Sequence, residues 1–171
     1  MVTVSPSGST TTAVTYTPIA TNTLSSAASS VTFSSISGTY KDLVLVCNFK
    51  NTAGQTDNGV RFNSDSTSSY SRTQLYGTGS TAGSNRGSNE TSMNFLGYIG
   101  TTWCVSIMQI MNYSNTTTNK TAITRDNGAS DQVIAAVGMW RSTGAITSLY
   151  IFPASGTYET GSMFSLYGIG A

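Results

Sequence analysis

The chain has 171 residues, 38% of them hydrophobic and 9% charged, with 8 Lys and Arg against 7 Asp and Glu. That is enough apolar material for one domain with a real core, and a net charge of +1 leaves no basic footprint for nucleic acid or anionic lipid. The absence of histidine removes the usual general base, the Ser-His-Asp triads and the commonest zinc ligand. Ser, Thr, Asn and Gly supply about half the chain, so the surface is polar but nearly uncharged. Aromatic and β-branched residues recur in blocks throughout, which a disordered chain would lack.

Residues 1–12 are Ser/Thr-rich with one proline, Pro6, and read as an arm preceding a single β-sandwich domain over 13–171. The opening MVTVSPSGST has neither the basic start nor the apolar middle of a signal peptide, and no apolar run approaches the length of a membrane span. The expectation is a soluble product of the cytoplasm.

Candidate strands follow at 13–19 and 29–36. In DLVLVCNFK, Leu43, Leu45, Cys47 and Phe49 alternate with Val44, Val46 and Asn48, a period-two pattern apolar on both faces, as in a central strand of a packed sheet. Further strands are expected at 58–63 and 70–76. The stretch SRTQLYGTGSTAGSNRGSNET, residues 71–91, superficially suggests a phosphate cradle. Such loops follow a buried parallel strand and open a helix, and no lysine falls between Lys50 and Lys120. Residues 77–89 therefore read as a long flexible loop, with Arg72, Tyr76 and Arg86 as candidate partner contacts together with Pro6 of the arm.

A strand is expected at 90–98. In TWCVSIMQIMNY, Trp103, Val105, Ile107, Gln109 and Met111 alternate with Cys104, Ser106, Met108 and Ile110, a buried strand again. After a strand at 118–125, QVIAAVGMW, the linker STG and AITSLYIF read as a hairpin, and PASG turns the second arm into YETGSMFSLYGI. About ten strands and no helix indicate an all-β fold, an antiparallel sandwich or jelly roll.

The carboxylates Asp42, Asp57, Asp65, Glu90, Asp126, Asp131 and Glu159 mostly sit beside turn residues and read as solvated, with no acid/base pair of the kind glycoside cleavage needs. RDNGASD around Asp126, Asn127 and Asp131 could ligate calcium through oxygen, but lacks the spacing of a calcium loop, and Asn127-Gly128 explains it as a hairpin turn. Four glycosylation sequons are expected by chance in such a composition. Cys47 and Cys104 lie inside apolar runs and read as buried free thiols. No cofactor, no metal site and no enzyme are expected.

The segments YTPIATNTLSSAASSVTFSSISGTYKDLVLV, GVRFNSDSTSSYSRTQLYGTGS, NYSNTTTNKT, GMWRSTGAITSLYIFPASG and FSLYGIGA together resemble a family of small structural proteins of tailed bacteriophages. The resemblance implies a jelly-roll β-sandwich in a virion, homo-oligomeric with a trimer favoured, made in the host cytoplasm. It implies a capsid decoration (cement) protein bound to the major capsid protein on the capsid surface, or else a tail fibre or receptor-binding subunit contacting a tail protein. Decoration is favoured because the chain has no shaft repeats or heptads.

Overall fold

The computed structural model describes residues 16–94, 96–128 and 132–170. They form two antiparallel sheets. The larger has eight strands in the order β1 (Thr17–Thr23), β12 (Met163–Ile169), β3 (Asp42–Phe49), β8 (Cys104–Met111), β9 (Lys120–Asn127), β10 (Val133–Trp140), β5 (Tyr70–Gly77) and β6 (Ala82–Glu90). The smaller orders β2 (Val31–Phe33), β11 (Leu149–Pro153), β4 (Thr56–Phe62) and β7 (Tyr98–Ile99). No helix occurs among the described residues, and the fold is an all-β antiparallel sandwich, as the alternation predicts. The expected arm at 1–12, with Pro6, lies outside the described residues.

Alternation sets the core. On β3, Leu43, Leu45, Cys47 and Phe49 point inward and are fully buried. Their neighbours on β12 and β8, Phe164, Leu166, Met108 and Ile110, share that face. The smaller sheet answers with Val60, Phe62, Leu149 and Ile151. Two aromatic groups anchor the contact between the sheets. Phe49, Tyr158 and Phe164 meet with ring centroids 4.9–5.9 Å apart, and Phe62, Tyr70 and Trp140 at 5.7–6.3 Å. Such edge-on and offset pairs add to the area each ring buries. Asp65 ties down the second group by accepting from Trp140 Nε1 at 2.6 Å. At the other end Gly168 on β12 lies beneath Tyr40, and a Cβ there would fall 2.2 Å from the ring.

Three sequence expectations change. The hairpin expected from QVIAAVGMW and AITSLYIF is a crossover, because β10 belongs to the larger sheet and β11 to the smaller; β11 and β12 are separated in the same way. Alternation fixes which residues face inward on a strand, not which layer the strand joins. The strand expected at 90–98 reduces to β7 and an isolated bridge between Met93 and Val60. The Gly-rich loop at 77–89 is mostly β6, paired residue by residue with β5 from Gly77↔Ala82 to Ser71↔Ser88. Within the larger sheet β5–β6, β8–β9 and β9–β10 are true hairpins, the last closed beyond Asn127 by Gly128 N–H donating to Gln132 O at 2.7 Å.

Cys47 and Cys104 are both free and buried, and burial pushes both thiols up in pKa, away from the reactive thiolate. A thiol reagent should therefore label neither in the native protein and both after denaturation without reductant. Labelling of the native protein at the rate of a free thiol would contradict the core described.

Candidate functional site

Among the described residues no strand packs against the outer face of the larger sheet, and its side chains follow directly from the strand registers. One row across it reads Tyr167, Val44, Gln109, Ile123, Val137, Thr73 and Arg86, and the next Ser165, Val46, Ile107, Arg125, Ala135, Leu75 and Ser84. A third contains Val105 and Val133. The second faces of β3 and β8, read from the sequence as buried, are thus the floor of an open surface. Val133 is 63% exposed, Leu75 62% and Val137 47%. Exposed single apolar residues are ordinary, but a contiguous set on one face marks an interaction surface.

Charge on this face is sparse, two arginines and, at its edge, Asp42. Arg125 stands in the middle and Arg86 toward the β6 edge, and neither forms an ion pair or hydrogen bond among the described residues. Asp42, at the far end of β3, is already engaged by Gln109 Nε2 at 3.0 Å and Asn112 N–H at 2.8 Å. Three clefts indent the face, one of them of about 300 Å³ between Leu75, Val133 and Ala135. Another of about 250 Å³ runs between Tyr16, Val44, Ile123 and Arg125, and a third of about 440 Å³ between Thr73, Arg86, Thr121 and Val137.

The residues singled out in the sequence as contacts separate. Arg86 lies on the open face. Arg72 does not: it points inward on β5, donating from Nε to both Glu90 oxygens at 3.1 and 3.2 Å and from its terminal nitrogen to Gln74 at 2.5 Å, so it is a structural ion pair rather than an offered cation. Tyr76 also turns inward, its ring laid over Gly83, where a Cβ would come within 2.6 Å of the hydroxyl. Pro6 lies outside the described residues. Sequence reasoning missed the apolar face itself, although its signal, alternating strands apolar on both sides, was on the page.

A second feature lies between the sheets. Asp126, read as a solvated turn residue, is on β9, points inward and is 9% exposed, and neither carboxyl oxygen has a hydrogen-bond partner among the described residues. Its cross-strand neighbour Ser106 likewise has a buried, unpartnered Oγ. Burial pushes the Asp126 carboxyl up to about 7. Asp57 on β4 is also raised by burial, against the opposing field of Arg72. Glu90 and Glu159 are tied to Arg72 and Lys50. Among the described residues no group of three or more His, Cys, Asp or Glu is gathered as a metal site.

No protein-family model and no curated protein matches the chain. Among solved structures, an alginate lyase, determined as a mutant in complex with an alginate tetrasaccharide, is similar with a TM-score of 0.33 and 9% identity, over 87% of this chain and 79% of that one. At that distance the likeness carries no argument about what this chain acts on. The expectation of a capsid decoration protein or tail fibre is corrected, because the contacts expected for it are absent: the Gly-rich segment expected as a flexible contact loop is a paired strand, and Arg72 is held by Glu90. Neither role is retained.

The two buried-side carboxylates that are most perturbed pull stability in opposite directions with pH. Burial raises Asp65, but hydrogen bonds from Thr67, Ser69 and Trp140 outweigh it and hold the carboxyl well below its usual range. Its contribution is present above the unfolded value of about 3.9 and lost as pH falls below it. Asp126 is raised, so its contribution is complete below about 3.9 and lost as pH climbs toward about 7. The titratable group that feels its charge is Cys104 on β8. As far as these two groups go, the protein should be most stable near about pH 4. Asp126→Asn should flatten the decline above that pH and stabilise at pH 8 by up to about 4 kcal/mol. Melts across the pH range check this; a decline unchanged in the variant would assign it to other groups.

Proposed function

We propose that this domain is a non-enzymatic association module, which binds a second copy of itself through the outer face of its larger sheet. The observation that carries the reading is the composition of that face. Aliphatic residues, Met111, Met139, Met163 and Tyr167 surround Arg125, with no lysine or glutamate on β3, β8, β9 or β10 turned outward. Arginine, methionine and aromatics are enriched at protein interfaces and Lys, Glu and Asp depleted, and interfaces between identical chains are the most apolar.

The size of the face fits as well. Eight strands span about 34 Å across and about 25 Å along the chain, a footprint of roughly 850 Å², against roughly 800 Å² per partner in an interface of standard size. Polysaccharide would be a poor occupant, because valine and isoleucine offer no partners for its hydroxyls and the one exposed ring over the cleft is Tyr16. Catalysis has little to work with: no histidine is present, Glu90 and Glu159 are paired, and Asp126 lies on the opposite side of the sheet from the clefts.

Analytical ultracentrifugation across the micromolar range tests the reading. Wild-type protein should associate in a concentration-dependent way, and Val137→Glu or Ile123→Glu should hold it monomeric with little change in melting temperature, since both side chains are already half exposed. Wild-type protein that stays monomeric at high micromolar concentration sinks the proposal, as does association unaffected by both variants.

A further inference from the structure

The edge of a sheet presents a row of unpaired backbone donors and acceptors, and folds blunt such edges with short strands, proline, bulges or lysine. Of the four sheet edges among the described residues, three are blunted. β2 has three residues and β7 two, and β1 is interrupted by Pro18 and by a shift of register between Pro18 and Ala20. The fourth edge is β6, nine residues long, without proline or lysine, and regular against β5 from Ala82 to Ser88.

The turn that starts β6 fixes the phase of its ladder. Thr78 N–H donates to Thr81 O at 2.7 Å, which makes these two a hydrogen-bonded pair, and such pairs recur at every second residue of an antiparallel ladder. Gly83, Asn85 and Gly87 thus direct their backbone groups to Tyr76, Gln74 and Arg72 on β5. Ala82, Ser84, Arg86 and Ser88, all exposed, turn theirs outward, where no strand meets them among the described residues.

From this we infer that the β6 edge pairs antiparallel with the β6 edge of a second copy, about a two-fold axis at Asn85, so that Ser84 faces Arg86 and Ala82 faces Ser88 of the other chain. Charge and length select this register. An axis at Arg86 would set two arginines directly opposite, which is unfavourable, and an axis at Ser84 would run Ser88 past the end of the other strand. With the axis at Asn85, four pairs form about eight backbone hydrogen bonds, and the two Asn85 amides meet, each able to donate and accept. These bonds replace bonds to water, so their net contribution is small, and the pairing is populated near about 1 mM rather than in the micromolar range.

This goes beyond the association through the outer face, because it uses backbone along the rim of the sheet. Asn85 alternates with Arg86 and so points away from that face, and face-to-face contact does not bring two copies of it together. Cysteine trapping in Val137→Glu protein reads the pairing. Across the axis the two Cα atoms at 85 lie about 4.5 Å apart, within disulfide range, while those at 84 are diagonal neighbours about 8 Å apart and outside it. Native Cys47 and Cys104 are buried and do not compete. Under mild oxidation at about 1 mM, Asn85→Cys should cross-link at least about tenfold faster than Ser84→Cys. Adding Ser84→Pro to Asn85→Cys removes an outward N–H and leaves the β5 ladder whole, and should slow trapping by about tenfold. Charge at 84 gives a second readout without altering the backbone: Ser84→Glu, set opposite Arg86 of the other copy, should speed trapping at 85, and Ser84→Lys should slow it. Equal cross-linking at 84 and 85 overturns the inference, as does a rate at 85 indifferent both to proline and to the sign of the charge at 84.

Discussion

An eight-stranded sheet packed on a four-stranded one has a covered face and an open one, and the inter-layer contact between Phe49, Tyr158 and Phe164 at one end and Phe62, Tyr70 and Trp140 at the other determines which is which. Once those rings are buried, alternation leaves no choice: every second residue of β3, β8, β9 and β10 must point away from the core. Because these strands are apolar on both sides, the fold exposes a hydrophobic surface as a direct result of building its core. The association proposed for the domain follows from that constraint. The same mismatch in strand number leaves β5 and β6 overhanging the smaller sheet, and there the interior is polar, with Arg72, Gln74 and Glu90 linked to one another.

The scarcity of charge gives the charged residues unusual weight. Most of the described ones are engaged: Lys50 with Glu159, Arg72 with Glu90, Lys120 by the Thr118 and Thr143 carbonyls, Asp65 by Trp140 and its own turn. The exceptions stand out against this pattern. Arg125 and Arg86 lie on the open face, and Asp126 lies between the layers. In a chain with many ion pairs these would pass unnoticed; here the two arginines coincide with the surface to which a partner is assigned.

Much of the architecture was legible in the sequence, and the illegible parts share a cause. The strands β3 and β8 and their alternation were legible because a period of two is local information, but which of their two apolar faces is covered was not. Layer membership is not local, so the β10 and β11 segments looked like a hairpin. The AGSNRGSNE stretch of β6 has no β-branched or aromatic residue and looked like a loop. It is a strand because β5 supplies a full ladder, while Tyr76 and Glu90 lay their side chains over Gly83 and Gly87, so that tertiary packing overrides propensity. Asp126 was misread for a similar reason: proximity to an Asn-Gly turn says nothing about which way a strand residue points.

The Tyr40 ring over Gly168 ties two positions 128 places apart in the chain into one spatial unit. Neither can change freely: a methyl group at 168 has no space while the ring is there, and a smaller residue at 40 leaves the backbone of β12 bare. Across diverged relatives the two sites should therefore drift together, glycine facing an aromatic or a side chain at 168 facing something small. That paired signature would let a distant homologue be recognised after the surrounding Ser/Thr-rich sequence has lost all resemblance.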